Sequence, residues 1–256
     1  MLLLYFIFPL TATGREQSSR PICYNSNVNA THFAIAFVSS LVPAIFWLWF
    51  WLREDKEKPE PILLIIITFI AGMAVVPLAL PLQRLAIDIY DGDNLIYVWV
   101  IIEEVLKYAM ALTVIFWNRA VNEPIDMVIY MIAIALGFSV LENTLFVLNP
   151  LAVGDYINTA LTGSFRFLGA SLLHVLSSST IGVFLAFSYY KSNTVKLIAG
   201  MIGLCVAIVL HALFNFFIMD ASGETILAVF LFVWIGIIIL FLLFEKIKQT
   251  ELAHHL

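Results

Sequence analysis

Glu103, Glu104 and Lys107 sit within Ile101–Met110, read as IIEEVLKYAM, in a run that is otherwise apolar from Leu95 to Trp117. Ionisable groups inside hydrocarbon are expensive and are tolerated where they are paired or used. Glu103 and Lys107 are four residues apart and share a helix face, so an intramembrane ion pair is one reading. One lysine cannot neutralise two carboxylates, however, and Glu104 is turned by about 100° from Glu103, toward a neighbouring helix. Further along stand Glu142, with Phe138 one turn before it, then His174, then His211 with Asn215 one turn after it. Carboxylates can act as general acid or base. Carboxylates with two histidines are also the ligand types of a catalytic zinc site. Each residue alone has a plainer reading. His174, followed by Ser177, Ser178, Ser179 and Thr180, reads as a hydrogen-bonded packing residue, and the serine run as close helix packing.

The elements that must position these groups are membrane helices. Hydrophobic residues make up 62% of the 256 positions and charged residues 12%, against roughly 25% charged in a soluble domain. Mean hydropathy is +0.99. This composition excludes a soluble globular protein, and no basic face or Gly-rich loop points to nucleic acid or nucleotide. Cys23 lies in a polar tail and Cys205 in an apolar run, so no disulfide is expected between them. Residues 1–30 read as an N-terminal tail whose apolar start, Met1–Leu10, resembles a signal peptide without its basic flank. Residues 31–244 read as one membrane domain, and 245–256 as a short cytoplasmic tail.

Within that domain seven apolar runs are long enough to span: Thr31–Leu52, Ile62–Leu82, Leu95–Trp117, Ile125–Leu148, Phe167–Tyr190, Val195–Phe217 and Thr225–Phe244. Helices alone satisfy the backbone in such runs, so the fold class is all-α, a polytopic transmembrane bundle in the cell membrane. Pro43, Pro77 and Pro81 are expected to bend or end the first two helices. Arg53, Lys56, Lys58, Arg119, Lys191, Lys196, Lys246 and Lys248 fall on one side, and Arg15, Arg20, Arg84 and Arg166 on the other. The cation bias predicts the N-terminus outside and the C-terminus cytoplasmic. The longest outer connection, Asn149–Arg166, reads as a loop that could fold over the outer face.

Depth ties the polar residues together. At ~1.5 Å rise per residue, Glu103, Glu142, His174 and His211 lie about 14, 10, 12 and 12 Å below the outer ends of their helices. Four helices therefore bring ionisable groups to one level in the outer half of the bilayer, which predicts a shared polar site.

The ordered set Glu103-Glu104-x-x-Lys107, Phe138-x-x-x-Glu142, His174 and His211-x-x-x-Asn215 resembles the PrsW family of intramembrane proteases, a relative of the type II CAAX prenyl endopeptidases and Abi proteins. The resemblance extends back to Pro43, Trp47, Trp51 and the Arg53–Pro61 loop. The CAAX branch has an arginine one position after Lys107 and a histidine in place of Glu142, and both differences favour the PrsW branch. The resemblance implies an endopeptidase that cuts a membrane-anchored, single-span protein near the outer side of the bilayer. The best-known member type cuts an anti-sigma factor in regulated proteolysis. Carried over, Glu103 is the base that activates water, Glu104 supports it or binds metal, and Lys107 holds the charge of the pair. Glu142, His174 and His211 complete a metal site, with zinc as the expected ion, or an oxyanion site. Asn215 orients His211 or the substrate carbonyl. Competing readings are a CAAX-type peptidase, an ion-coupled transporter and a non-catalytic immunity protein. Transporters commonly show internal repeats and Gly/Pro-broken helices at the site, and the motif-bearing runs show neither apart from Gly137 beside Phe138.

Overall fold

The computed structural model describes residues 28–54, 59–115, 118, 121–219 and 224–254. The signal-like start and most of the tail to residue 30 lie outside the described residues. The ordered elements are α1 (Ala30–Leu52), α2 (Ile62–Ile87), α3 (Gly92–Ile115), α4 (Asp126–Ala152), α5 (Tyr156–Phe165), a π-helical turn (Arg166–Ala170), α6 (Ser171–Phe187), α7 (Asn193–Met219) and α8 (Glu224–His254). All regular structure among the described residues is helical, as runs this apolar require.

Six segments are long and apolar enough to cross a membrane. α5, the π turn and α6 together form one of them, Tyr156–Phe187. The seventh expected span, α3, is 24 residues long but carries Glu103, Glu104 and Lys107 at its middle and is not among the six. The chain is a multi-pass membrane protein.

α4 is the axis of the bundle. From Val128 to Val140 every residue is buried, the pattern of a helix covered on all sides. α1, α2 and α6 pack along it, and α7 packs on α6. α1 and α8 lie further out and join where Trp51 stacks on Phe241, ring centroids 4.6 Å apart. Two small residues set the α2–α4 crossing. A Cβ at Gly72 would overlap the Ile134 carbonyl, and one at Gly137 would overlap the Phe69 carbonyl. The two backbones can approach this closely only because both positions are glycine.

Pro43, Pro77 and Pro81 end neither of the first two helices: α1 runs through Pro43, and α2 through Pro77 and Pro81. In hydrocarbon, a helix interrupted by proline costs less than an unpaired stretch of open backbone. The Asn149–Arg166 connection is not a loop. α4 continues through Pro150 to Ala152, and Gly154, with φ of 76°, closes it. Gly154 N–H donates to the Leu151 carbonyl and Asp155 N–H to the Pro150 carbonyl, at 3.0 and 2.9 Å. These two bonds satisfy the last carbonyls in the Schellman arrangement that glycine permits. Asp155 then caps α5 by accepting from Asn158 N–H at 3.1 Å. Turn residues that read as a loop are the stop of one helix and the start of the next.

Candidate active site

The i, i+4 spacing of Glu103 and Lys107 suggests a pair, but the structure pairs Lys107 with Glu104 instead. Lys107 Nζ donates to Glu104 Oε1 at 2.8 Å, and both side chains are fully buried. The ammonium also donates to His174 Nδ1 at 3.1 Å and lies 3.9 Å from the centroid of the Phe138 ring. Phe138 thus does more than fill space, because its face helps solvate a buried cation.

Glu104 is saturated. Besides Lys107 it accepts from His211 Nδ1 at 2.8 Å, from Ser177 Oγ at 3.3 Å and from Ser178 Oγ at 3.1 Å. Ser177 and Ser178 of α6 are donors to a buried carboxylate, not packing alone. Glu142, on α4, accepts from His174 Nε2 at 2.8 Å and from the Arg166 guanidinium. Arg166 also donates through Nε to Asn143 Oδ1 and lies 3.8 Å from the Phe146 ring centroid. Asn143 Nδ2 in turn donates to Ser139 and Ser171 hydroxyls, both at 3.0 Å. The π turn at Arg166–Ala170 brings Arg166 and His174 to the same carboxylate. Such turns inside α-helices are frequent at functional sites.

Glu103 differs from both. Its Oε1 accepts from Gln83 Nε2, on α2, at 2.8 Å. Its Oε2 is buried and has no hydrogen-bond partner. That oxygen stands 3.8 Å from His211 Nε2. Of the three carboxylates, Glu104 has Lys107 and Glu142 has Arg166, while Glu103 has only a neutral amide. Glu103 is therefore the carboxyl of the three without a cationic hydrogen-bond partner.

The partners also assign the imidazole protons. An ammonium cannot accept, so His174 Nδ1 carries the lone pair and its Nε2–H donates to Glu142. A carboxylate cannot donate, so His211 donates through Nδ1–H to Glu104, and its Nε2 faces Glu103 Oε2. The His174 and His211 rings stand edge to face, 4.9 Å between centroids.

The structure thus brings Glu103, Glu104, Lys107, Glu142, His174 and His211 into one connected cluster. Asn215 lies one turn beyond His211 and is half-buried, and its side chain makes no hydrogen bond to another described residue. Gln83, Asn143, Arg166, Ser177 and Ser178 join the cluster although the sequence reading gave them no part. Asn143 and Arg166 carried a signal, since one adjoins Glu142 and the other precedes His174 by two turns.

A metal ion fits one part of the cluster. Ligand atoms from Glu103, His174 and His211 lie within 4.8 Å of one another. The orphaned Glu103 Oε2 and, in a neutral imidazole, His211 Nε2 are the donors such an ion needs. His174 would exchange one of its present bonds, to Lys107 or Glu142, for the ion. Glu142 is held by Arg166 and by His174 Nε2.

A family model described as PrsW family intramembrane metalloprotease matches residues 60–243, which include every residue of the cluster. Protease PrsW from Clostridioides difficile (strain 630) is 25% identical over 193 residues, covering 72% of this chain and 79% of that protein. No solved structure matches.

Proposed function

The chain belongs to the PrsW family of intramembrane proteases, and from that membership we propose that it hydrolyses a peptide bond of a membrane-anchored protein, with Glu103 as the base. The observation that carries this reading is the half-bonded carboxylate of Glu103. One oxygen is fixed by Gln83 and the other is buried, unpartnered and 3.8 Å from His211 Nε2. A water between Glu103 Oε2 and His211 Nε2 would give a proton to Glu103 as its oxygen adds to the scissile carbonyl carbon. The tetrahedral species then collapses, the C–N bond breaks, and Glu103 returns the proton to the leaving amine. The products are a new carboxylate and a new amine.

Glu104 holds His211 in the tautomer that leaves Nε2 free, as outer partners of catalytic histidines do. Lys107 neutralises Glu104 and links it to His174. Asn215 is within a turn of His211 and is assigned to the substrate carbonyl. In the alternative, metal-dependent reading, Glu103, His174 and His211 would hold zinc, with Oε2 a ligand rather than the base and Glu142 bonded to His174. Bound there, zinc would acidify the attacking water and polarise the carbonyl.

The substrate is a single-span protein cut in the outer half of the bilayer, with the N-terminus of this chain outside. An anti-sigma factor is the first substrate type to try. The decisive experiment co-expresses such a substrate with wild type and with Glu103→Ala. Wild type cleaves, and the variant accumulates in the membrane without cleaving. Cleavage by Glu103→Ala at the wild-type rate refutes the glutamate-base reading.

A further inference from the structure

Gln83 belongs to no motif of the sequence reading, and it is a polar side chain only 3% exposed inside an apolar helix. A buried amide needs partners. Gln83 uses its amide nitrogen on Glu103 Oε1, at 2.8 Å, across twenty residues of sequence. Its main chain is tied to the same helix, because Trp99 Nε1 donates to the Gln83 carbonyl at 3.0 Å. Trp99 precedes Glu103 by four residues, so both partners of Gln83 lie on one face of α3. Among the described residues Gln83 is the one hydrogen-bond partner of the Glu103 carboxylate.

We propose that Gln83 is a positioning residue that fixes the rotation of the Glu103 carboxylate and leaves Oε2 as its reacting oxygen. A carboxylate has two equivalent oxygens and turns readily about its last bond. Without the amide, either oxygen could face His211 and the plane of the group would be undefined. With it, Oε1 is occupied and Oε2 is directed toward His211 Nε2. Trp99 bonds only the main chain of Gln83, which α2 itself already holds, so the amide keeps its reach without that bond. The alternative is that Gln83 is only a staple between α2 and α3. The two accounts differ in what Trp99 does. A staple is weakened by losing either bond, whereas positioning needs the amide in particular.

This inference rests on the protease reading of Glu103. The test measures kcat, KM and thermal unfolding in detergent for Gln83→Met and Trp99→Phe, with cleavage of a single-span substrate as the assay. Gln83→Met keeps the volume and removes the donor, and its kcat falls about 10–100-fold with KM little changed, the usual loss for an outer partner. Trp99→Phe removes the other bond to Gln83 and keeps kcat within about threefold, a bound below the smallest loss of an outer partner. A wild-type kcat for Gln83→Met, or equal losses in both variants that follow their unfolding temperatures, overturns the proposal. Where Gln83→Met does not accumulate, Gln83→Asn decides. It keeps the amide but withdraws it by about 1.5 Å, one carbon–carbon bond. A tenfold or greater fall in kcat supports positioning, and unchanged kcat refutes it. The two readings fail separately. If wild type and Glu103→Ala cleave alike, the glutamate-base reading and the role of Gln83 fall together. If Glu103→Ala is dead and the Gln83 variants are normal, only the role of Gln83 falls.

Discussion

His211 meets Glu104 through Nδ1 at 2.8 Å, and Glu104 is at the same time the counter-ion of Lys107. One carboxylate therefore sets both a histidine tautomer and the charge balance of a buried lysine. Glu104→Gln keeps the shape but disturbs both. Its amide oxygen can still accept one proton, while Lys107 is left as a buried cation without a counter-ion. Breaking a buried pair costs about 3–5 kcal/mol. We expect cleavage to fall at least about tenfold, the lower end for outer-partner losses, together with a marked drop in the unfolding temperature in detergent. A variant with wild-type cleavage would show that His211 needs no such partner.

Arg166 holds two acceptors at once, Glu142 and Asn143. A planar guanidinium can do this from one position, and a lysine ammonium does not reproduce that fork. Arg166→Lys keeps the charge and should still cost activity, about tenfold by analogy with other outer partners. Arg166→Leu should cost more, because Glu142 then keeps His174 alone as its partner. Cleavage assays on both variants, normalised to protein in the membrane, check the order. Equal activity of wild type and Arg166→Lys would mean that charge alone matters there.

Glu103, His174 and His211 can be separated from their neighbours by metal content. Protein purified without chelator is expected to carry about one zinc per chain, as a single three-residue site allows. His211→Ala should lose it, since Nε2 of that ring is the uncommitted nitrogen. Removing the ion from wild type should stop cleavage, and zinc should restore it. Full activity in protein shown by elemental analysis to be metal-free would leave Glu103 to work without an ion.

What could be read without coordinates follows from how strongly the bilayer constrains a chain. Apolar runs near 20 residues have to be helices, so the bundle was legible from composition. Depth matching placed Glu103, Glu142, His174 and His211 at one level, and they do lie in one cluster. Azimuth was not legible. Glu103 and Lys107 share a face by spacing, yet the flexible lysine reaches Glu104 one residue nearer. Gln83 escaped notice because an amide costs less to bury than a charge and stands out less in an apolar run. Arg166 reads in the sequence as one of the cations flanking the membrane. The π turn that brings it against Glu142 has no counterpart in hydropathy, and Gly154 with Pro150 imitates a loop while closing a helix.

The α2–α4 crossing decides whether Gln83 can reach the site at all. Gly72 and Gly137 face each other's helix so closely that a Cβ on either would overlap a backbone carbonyl. A carbonyl in a helix cannot rotate away, so the helices themselves must separate. Gly137→Ala is therefore expected to destabilise the protein by about 1–3 kcal/mol, the usual cost of overpacking. It should also reduce cleavage, since Gln83 on α2 and Glu142 on α4 would both shift relative to α3. Gly163 offers the control, because a Cβ there meets no atom within 4 Å. Gly163→Ala should leave unfolding temperature and cleavage near wild type. If Gly137→Ala matched it in both measurements, the close crossing would not be what holds α2 in register with the site.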